Sequence, residues 1–382
     1  MKITGAWLEA RHTQAVCATL ECAGHQALFV GGCVRNALLG QPVADVDIAT
    51  DAHPDRVCEL AVDAGLRAVA TGRDHGTVTV IAGGVPHEVT TFRRDVETFG
   101  RHAVVAYSDD LHEDARRRDF TMNALYATPR GEVRDPLDMG LHDLAARRVR
   151  FVGTAENRIR EDYLRILRFF RFFAWYGDPQ EGPDADGLAA CAAQAEGLDT
   201  LSRERVGAEM RRLLGAPDPA PAVAAMQSAG ALARVLPGAD ARALPVLVHL
   251  EGDAPANWLR RLAVLGGPED IAQALRLSKA EANDLERITR EMAGTRDPAE
   301  LGYRFGAWLA ADIVLARAAV LETPPPQGWR EAIRRGAAAE FPLRAADLMP
   351  AYSGPALGRR LKELEDRWIA QDFRPTRAEL LS

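Results

Sequence analysis

The feature that most constrains the fold is a stretch rich in arginine and aromatic residues, Glu161 to Phe173. At about 100° per residue on a helix, its large apolar side chains share one face; they are Tyr163, Ile166, Leu167, Phe169, Phe170 and Phe173. The opposite face carries charged residues at i, i+3 spacing, namely Asp162, Arg165, Arg168 and Arg171. The pattern predicts one helix with a buried aromatic face. A solvated row of salt bridges is the alternative for the charged face, and the upstream motifs argue against it.

Composition limits the class of protein. A chain of 382 residues is too long for one hydrophobic core, so we expect two to four domains. The formal net charge of −7 argues against non-specific coating of nucleic acid but allows a local basic groove. None of the five cysteines forms a C-x-x-C pair, so we expect no disulfide framework or zinc site, and a reducing cytoplasmic location. We find neither a signal-peptide pattern nor an apolar run of about 18 residues, so no membrane association is expected.

A glycine turn near the N-terminus predicts a phosphate site. The apolar residues 26–30 end in Gly31 and Gly32, and a helical pattern then continues to Leu39. Glycines let backbone N–H groups approach an anion, and a helix N-terminus favours negative charge. Arg35 lies one turn into the predicted helix. Gly32 and Arg35 are therefore candidate phosphate-binding residues.

Two aspartates that follow the turn predict a metal site. Asp45 and Asp47 are two residues apart, so on a strand their carboxylates project from the same face. Two like charges that close are costly unless a cation lies between them. Mg²⁺ binds through one or two carboxylates together with water and phosphate oxygens. A pair of ordinary loop aspartates is the alternative. Glu88, on a predicted neighbouring strand, is the candidate third carboxylate of a two-metal site.

The segments after these strands show weaker patterns. Residues 94–118 lack a hydrophobic period and predict a mobile loop. Asp119 is the expected N-cap of a helix that begins in residues 120–125. Residues 188–320 are rich in alanine and leucine and predict a helical scaffold without a fixed repeat.

Four motifs, in order and spacing, resemble the class II tRNA nucleotidyltransferase and poly(A) polymerase family; they are Gly31-Gly32-x-Val34-Arg35, Asp45-x-Asp47, Arg117-Arg118-Asp119-Phe120-Thr121-x-Asn123-Ala124 and Glu161-Asp162-x-x-Arg165-x-x-Arg168. Residues 201–210 resemble the family's next motif, a helix with a capping-box start. Residues 347–358 resemble the tail of bacterial members that add CCA to tRNA. Two positions depart from the family. Asn36 replaces the Asp of the first motif, and Phe99 precedes Gly100-Arg101 where many members have an acidic residue.

The resemblance implies an α+β fold. A polymerase-β-like nucleotidyltransferase head, made of a small mixed sheet with helices, is expected to precede an all-helical neck, body and tail. The implied bounds are 1–150 for the catalytic head, 151–215 for the neck with its nucleotide-recognising helix, 216–320 for the body and 321–382 for the tRNA-contacting tail.

The resemblance also implies a function, the template-independent addition of CCA to the 3′ end of tRNA from CTP and ATP. Asp45 and Asp47, with Glu88, are implied to act with Mg²⁺ in two-metal nucleotidyl transfer. The residues implied to bind the nucleotide are Gly32, Arg35, Arg118, Asp119, Asp162, Arg165, Arg168 and Arg171. Asp162 and Arg165 are expected to recognise the edge that cytosine and adenine share, an amino donor beside a ring-nitrogen acceptor.

Several alternatives stay open at this point. A poly(A) polymerase, or an enzyme that adds only CC or only A, shares all of these motifs. A small-molecule adenylyltransferase also uses a glycine turn and an Asp-x-Asp pair, but the long helical half argues against it. An inactive RNA-binding module is disfavoured because Asp45 and Asp47 are intact. The sequence leaves the oligomeric state open.

Overall fold

A mixed sheet lies in the N-terminal part of the chain, and helices follow it. The computed structural model describes residues 1–72, 76–99 and 102–382. The chain divides into two units, Met1–Val235 and Leu236–Ser382. The first contains sheet and helices, and the regular structure described in the second is helical. This architecture confirms the predicted α+β class. The finer division into head, neck, body and tail stays a prediction.

The strands of the first unit are β1 (Leu28–Val30), β2 (Asp47–Thr50), β3 (Arg67–Gly72), β4 (Thr77–Ala82), β5 (Val85–Thr91), β6 (Arg93–Phe99), β7 (His102–Tyr107), β8 (Tyr126–Ala127) and β9 (Val133–Arg134). Across the described residues the main sheet has the order β3-β4-β5-β2-β1-β8-β9, and β6 pairs with β7. Strands β2 and β5 are parallel, whereas β1 is antiparallel to both β2 and β8. The centre of the sheet therefore places the start of β2 beside the middle of β5.

The helices of the first unit are α1 (Ala6–Glu9), α2 (Arg11–Cys22), α3 (Gly32–Leu38), α4 (Pro54–Asp63), α5 (Leu111–Arg116), α6 (Gly140–Ala145), α7 (Ala155–Glu161), α8 (Leu164–Tyr176), α9 (Ala185–Ala193), α10 (Arg203–Leu214), α11 (Ala220–Ser228) and α12 (Ala231–Val235). Helix α4 crosses from β2 toward β3 and begins with Pro54, whose fixed φ suits a first helical turn. Its buried residues include Val57, Leu60 and Ala61, which repeat at helical spacing on one face.

The arginine-rich stretch is two helices, which corrects the prediction of one. Helix α7 ends at Glu161 and α8 begins at Leu164, with Asp162 in an extended conformation between them. The Asp162 Oδ1 atom accepts a hydrogen bond from the Leu164 N–H at 3.1 Å. An aspartate that bonds to a nearby backbone N–H competes with helix continuation, so the chain breaks here. Asp162 therefore lies before the helix that carries the arginines.

Two further predictions of secondary structure were wrong. The segment 94–118 is not a loop in its described part, because it contains most of the β6–β7 pair and helix α5. Residues 120–125 do not begin an α-helix. Phe120 forms a bridge with Phe151, a 3₁₀ turn follows at Thr121–Asn123, and β8 begins at Tyr126. Residues 126–127, directly after this segment, pair with β1 as strand β8, and this tertiary pairing overrides the helical pattern.

The aromatic face of α8 is buried, as its periodicity predicts. The Phe151 and Phe169 rings stack with centroids 5.5 Å apart, and the Phe120 and Phe172 centroids are 4.8 Å apart. Aromatic pairs at such separations add stability beyond the area that they bury. This packing fixes α8 against the segment that carries Arg118 and Asp119.

The helices of the second unit are α13 (Ala243–Glu251), α14 (Trp258–Leu265), α15 (Ile271–Ala274), α16 (Lys279–Met292), α17 (Pro298–Val320), α18 (Trp329–Ala337), α19 (Gly354–Ala370) and α20 (Arg377–Leu381). Gly306 kinks α17 with a φ of 78°. The helices of the described chain include none that is both long enough and apolar enough to cross a membrane.

A buried ionic network links three helices of this unit. Arg260 donates from Nε and Nη2 to Glu251 Oε1 at 2.9 and 2.6 Å, and from Nη1 to Asp312 Oδ1 at 2.5 Å. Arg261 donates from Nη2 to Glu251 Oε2 at 2.7 Å. Glu251, Arg260 and Arg261 are each at most 3% exposed. In a complete network, the attraction between the charges offsets the cost of removing them from water. Removing one partner leaves a buried charge without this compensation.

We expect Glu251→Ala to lower the free energy of unfolding of the second unit by about 3–5 kcal/mol, because two buried guanidinium groups lose their carboxylate. Urea denaturation followed by circular dichroism measures this change. The control is Glu286→Ala, which removes an exposed carboxylate 3.7 Å from Arg290 and is expected to cost less than about 1 kcal/mol. Equal effects of the two substitutions would contradict the assigned importance of the network.

Candidate active site

Two carboxylates meet at the centre of the sheet. Asp47 on β2 is directly opposite Glu88 on the parallel strand β5, so both side chains emerge on the same face. Burial raises the pKa of Asp47, and the charge of Glu88 raises it further, while Arg118 lowers it. The structure thus brings together two of the three predicted metal-binding carboxylates.

Asp45 lies outside the strand, contrary to the prediction that it shares one with Asp47. Strand β2 begins at Asp47, and Asp45 is exposed in the preceding segment. Its charge still contributes to the raised pKa of Asp47, after the larger effects of burial, Glu88 and Arg118. The two aspartates are therefore electrostatic neighbours, although the sheet fixes only one of them.

The donor chemistry at this face fits a hard divalent cation. Carboxylate oxygens are the protein ligands that Mg²⁺ prefers, and one or two of them suffice when phosphate and water complete the shell. A cation would also offset the repulsion that raises the pKa of Asp47. Within residues 1–72, 76–99 and 102–382, no group of three or more His, Cys, Asp or Glu side chains is arranged to hold a metal ion. The fit therefore rests on the pair formed by Asp47 and Glu88.

The predicted glycine turn precedes a short helix as expected. Gly31 has a φ of 71°, a left-handed conformation that favours glycine, and Gly32 is the first residue of α3. A Cβ atom at Gly31 would lie 3.6 Å from Arg118 Nη1. The turn, Arg118 and Asp47 therefore lie near one another, a basic group beside the two carboxylates.

Arg118 is fixed by residues that the sequence analysis missed. Its Nη2 donates to Asp114 Oδ2 at 3.0 Å and its Nε donates to the Tyr126 hydroxyl at 3.0 Å. Asp114 also accepts from the Tyr126 hydroxyl at 2.7 Å and from Arg117 Nε at 2.8 Å. Burial raises the pKa of Asp114, but Arg118, Arg117 and these hydrogen bonds lower it well below its usual range. In the sequence, the i, i+3 and i, i+4 spacing of Asp114, Arg117 and Arg118 is the pattern that could have predicted these ion pairs.

Arg35 is buried, and its guanidinium is bonded within the protein. Nη1 donates to Asn123 Oδ1 at 2.5 Å, and Nη2 donates to the Tyr176 hydroxyl at 2.8 Å. The guanidinium carbon also lies 4.0 Å from the centre of the Tyr176 ring. Arg35 therefore joins α3 to the end of α8. A Cβ atom at Gly32 would lie 3.7 Å from Arg35 Nη2, and the predicted contact of Arg35 with phosphate stays a prediction.

Asp119 connects the head segment to α8. Its Oδ1 accepts from the Asn123 side chain and from the Phe120 N–H, each at 2.8 Å. Its Oδ2 accepts from Arg168 Nε at 2.8 Å and also from Arg168 Nη2. Although burial raises the pKa of Asp119, the charge of Arg168 and these hydrogen bonds hold it well below its usual range. Asp119 and Arg168, both predicted to bind the nucleotide, are therefore an ion pair in this structure.

The two predicted base-recognising residues have separate protein partners. Asp162 Oδ2 accepts from Arg205 Nη2 of helix α10 at 2.5 Å. Arg165 Nη1 donates to the Arg158 carbonyl at 2.8 Å and to the Glu161 carboxylate. Asp162 is not paired with Arg158 or Arg165 in these contacts, and its salt bridge is made with Arg205 of α10. Arg205 belongs to the residues 201–210 that the sequence analysis had singled out.

The last predicted arginine contacts a carboxylate on α10. Arg171 Nε donates to Glu209 Oε2 at 2.5 Å, and Arg168 Nη1 lies 4.0 Å from Glu209 Oε1. Glu209 is 4% exposed, and its partnership was not foreseen. The predicted capping box at the start of α10 is absent, because the Ser202 side chain makes no capping hydrogen bond. The departure from the family pattern at Phe99 cannot be placed, because Gly100, Arg101 and the side chain of Phe99 lie outside the described part of the structure.

Comparison with known families identifies the class. The profile described as "Poly A polymerase head domain" matches residues 27–150, which include the sheet and the facing carboxylates. The profile described as "Probable RNA and SrmB-binding site of polymerase A" matches residues 184–242. The fold is that of the class II tRNA nucleotidyltransferases and poly(A) polymerases.

Individual relatives narrow this class. The CCA-adding enzyme of Latilactobacillus sakei is 30% identical over 100% of this chain and 99% of its own. The mitochondrial CCA tRNA nucleotidyltransferase 1 of Mus musculus is 30% identical over 94% of this chain and 86% of its own. The Bacillus stearothermophilus CCA-adding enzyme, solved in complex with CTP, is 30% identical with a TM-score of 0.75, covering 95% of this chain and 93% of its own. The chain belongs to the family of CCA-adding enzymes, and the predicted nucleotidyltransferase fold is confirmed.

Proposed function

We propose that this protein adds CCA to the 3′ end of tRNA, using CTP and ATP without a nucleic-acid template. Family membership supports the reaction, and one structural observation carries its location: Asp47 and Glu88 face each other on parallel strands beside Arg118. Nucleotidyl transfer needs this combination, since anionic ligands hold a metal and a cation holds phosphate.

Asp45, Asp47 and Glu88 are the residues that would hold two Mg²⁺ ions. When bound, such ions lower the pKa of the attacking 3′-hydroxyl and offset the charge of the triphosphate and of the departing pyrophosphate. The pair Asp47–Glu88 provides a fixed part of the ligand set, and Asp45 supplies a carboxylate from the segment before β2.

The triphosphate is bound by the glycine turn and Arg118. Gly31 and Gly32 allow a close approach to the backbone, and Arg118 Nη1 is directed toward this turn. Asp114 and Tyr126 orient the guanidinium through its other nitrogens, so Arg118 enters the reaction already positioned. Arg168 and Arg171 on α8 would contribute to holding the phosphate and sugar, and Asp119 would orient the Arg168 guanidinium.

Asp162 and Arg165 select the base. A carboxylate accepts from the amino group of cytosine or adenine, and a guanidinium donates to the adjacent ring nitrogen. Uracil and guanine present a carbonyl beside an N–H group, so both protein groups would face the wrong partner. In this structure Asp162 is bonded to Arg205, and Arg165 is bonded to Glu161. A bound nucleotide would therefore share or replace these contacts.

The remaining parts of the proposal concern organisation and location. We assign residues 1–150 to the head, 151–215 to the neck, 216–320 to the body and 321–382 to the tRNA-contacting tail. We also place the protein in the cytoplasm, where its five free cysteines, Cys17, Cys22, Cys33, Cys58 and Cys191, would stay reduced.

Incubation with tRNAs that end before, within and after CCA tests the function. With CTP and ATP together, the product from tRNA lacking CCA is expected to be longer by the full trinucleotide, and tRNA that already ends in CCA is expected to stay unchanged. Sequencing gel electrophoresis measures the length. Long adenylate tails would instead indicate a poly(A) polymerase, and arrest after CC, or extension only of tRNA ending in CC, a partial enzyme. No incorporation with any tRNA would refute the proposal.

A further inference from the structure

The side chain of Asn36 makes hydrogen bonds in two directions. Its Oδ1 accepts from Arg35 Nε at 3.2 Å and from Arg35 Nη2 at 2.9 Å. Its Nδ2 donates to the Pro42 carbonyl at 3.0 Å. A guanidinium has only donors, so the oxygen of the amide must face Arg35 and the nitrogen must face Pro42. Chemistry alone therefore fixes the orientation of this amide.

The Pro42 contact holds the segment that carries Asp45. Residues 39–46 join α3 to β2, and the Gln41 N–H also donates to the Asn36 carbonyl at 2.8 Å. Strand β2 begins only at Asp47, so the hydrogen bonds of the sheet do not hold Asp45. The Arg35 side chain, to which Asn36 is bonded, is itself held in place, because it is buried and donates to Asn123 and Tyr176.

We propose that Asn36 is a positioning residue that sets the place of Asp45 relative to the Asp47–Glu88 pair. This inference rests on the proposed metal site and deepens it. An amide at position 36 can accept from Arg35 and donate to Pro42 at the same time, whereas the aspartate of the family pattern can only accept. In this chain an aspartate would therefore set a carboxylate oxygen against the Pro42 carbonyl, and the segment would have to move.

The variant Asn36→Asp tests this assignment because it keeps the shape and the bond to Arg35 and removes only the donor. We expect faster hydrogen exchange of the Gln41 backbone amide, which donates to the Asn36 carbonyl. Mass spectrometry of the peptide that contains this amide measures it without substrate. We also expect roughly 10-fold weaker binding of Mn²⁺ in the presence of CTP and without tRNA, measured by electron paramagnetic resonance. The added charge alone would attract the cation, so weaker binding reports displacement of Asp45.

Asn36→Ala, which loses both bonds, is expected to show the same two changes. The matched control is Asn157→Asp, at an exposed asparagine whose Oδ1 also accepts from an arginine, Arg160, at 2.9 Å. This control is expected to leave exchange of the Gln41 amide and Mn²⁺ binding unchanged.

Three results would overturn the proposal: unchanged exchange in both Asn36 variants, faster exchange with unchanged Mn²⁺ affinity, or loss in Asn36→Ala alone. The last result would mean that only the bond to Arg35 matters. Failure of the proposed metal site is distinguishable, because it would appear as absent Mn²⁺ binding in the unmodified protein, and failure of the proposed function would appear in the tRNA incubation. Hydrogen exchange would still decide whether Asn36 holds the segment.

Discussion

Replacing Asp47 with asparagine is expected to slow incorporation of CMP and AMP into tRNA by about 1,000-fold or more. The substitution keeps the side-chain shape but removes one of two charges that face each other on β2 and β5. Metal ions contribute several kcal/mol to stabilising a phosphoryl-transfer transition state, and each 1.36 kcal/mol is about tenfold in rate. Single-turnover incorporation of labelled CTP measures the loss, and tRNA affinity is expected to stay near that of the unmodified protein.

The same measurement on Asp45→Asn should show a large loss as well, since Asp45 would share the metal. Glu59→Gln is the control, because this exposed carboxylate on α4 pairs with Arg56 at 3.0 Å away from the sheet centre. It should leave the rate unchanged. Near-normal incorporation by Asp47→Asn, or activity that persists after removal of divalent cations, would refute the assigned metal site.

Asp162→Ala is expected to lower kcat/KM for CTP and ATP, and to reduce the preference for these nucleotides over UTP and GTP. A site built to hydrogen-bond a polar edge discriminates by about 10⁴-fold against an analogue that cannot make the bonds. Because Asp162 is one of the two residues proposed to recognise the base, its removal should abolish most of this discrimination. The ratio of kcat/KM for CTP to that for UTP measures it, and the dependence on divalent cations should not change.

Two companion variants separate base recognition from structure. Asp162→Asn keeps an oxygen that can accept from the Leu164 N–H, so the start of α8 is preserved while the charge is lost. Arg205→Ala removes the partner of Asp162 and leaves the carboxylate in place. If Asp162 recognises the base, Arg205→Ala should retain discrimination against UTP. If Asp162→Ala still rejects UTP as strongly as the unmodified protein, its role is only structural.

Local patterns predicted many of the elements around the site. The apolar residues 26–30 and the two glycines predicted a strand and a turn, and β1 and α3 are present there. The alternation around Glu88 predicted a strand, and β5 contains it. The helical spacing of the aromatic residues predicted the buried face of α8. These signals are local because a single face of one element determines them.

The errors arose where backbone pairing between strands competes with local side-chain preference. Residues 120–125 have a helical pattern, but Tyr126 and Ala127 pair with β1 and draw the segment into the sheet. Residues 94–107 have no apolar period, yet β6 and β7 pair with each other. Backbone hydrogen bonds between strands stabilise segments whose side chains carry no pattern.

By itself the sequence determined the family and the α+β class and named the candidate residues for the chemistry, since motif spacing is a property of the chain. Tertiary structure decided which charges meet. Asp47 faces Glu88 because β2 and β5, some forty residues apart in sequence, run parallel in register. Asp162 meets Arg205 and Arg171 meets Glu209 because α10 packs against α8. Charge pairing acts over a few ångströms in space, and only folding brings such distant positions within that range.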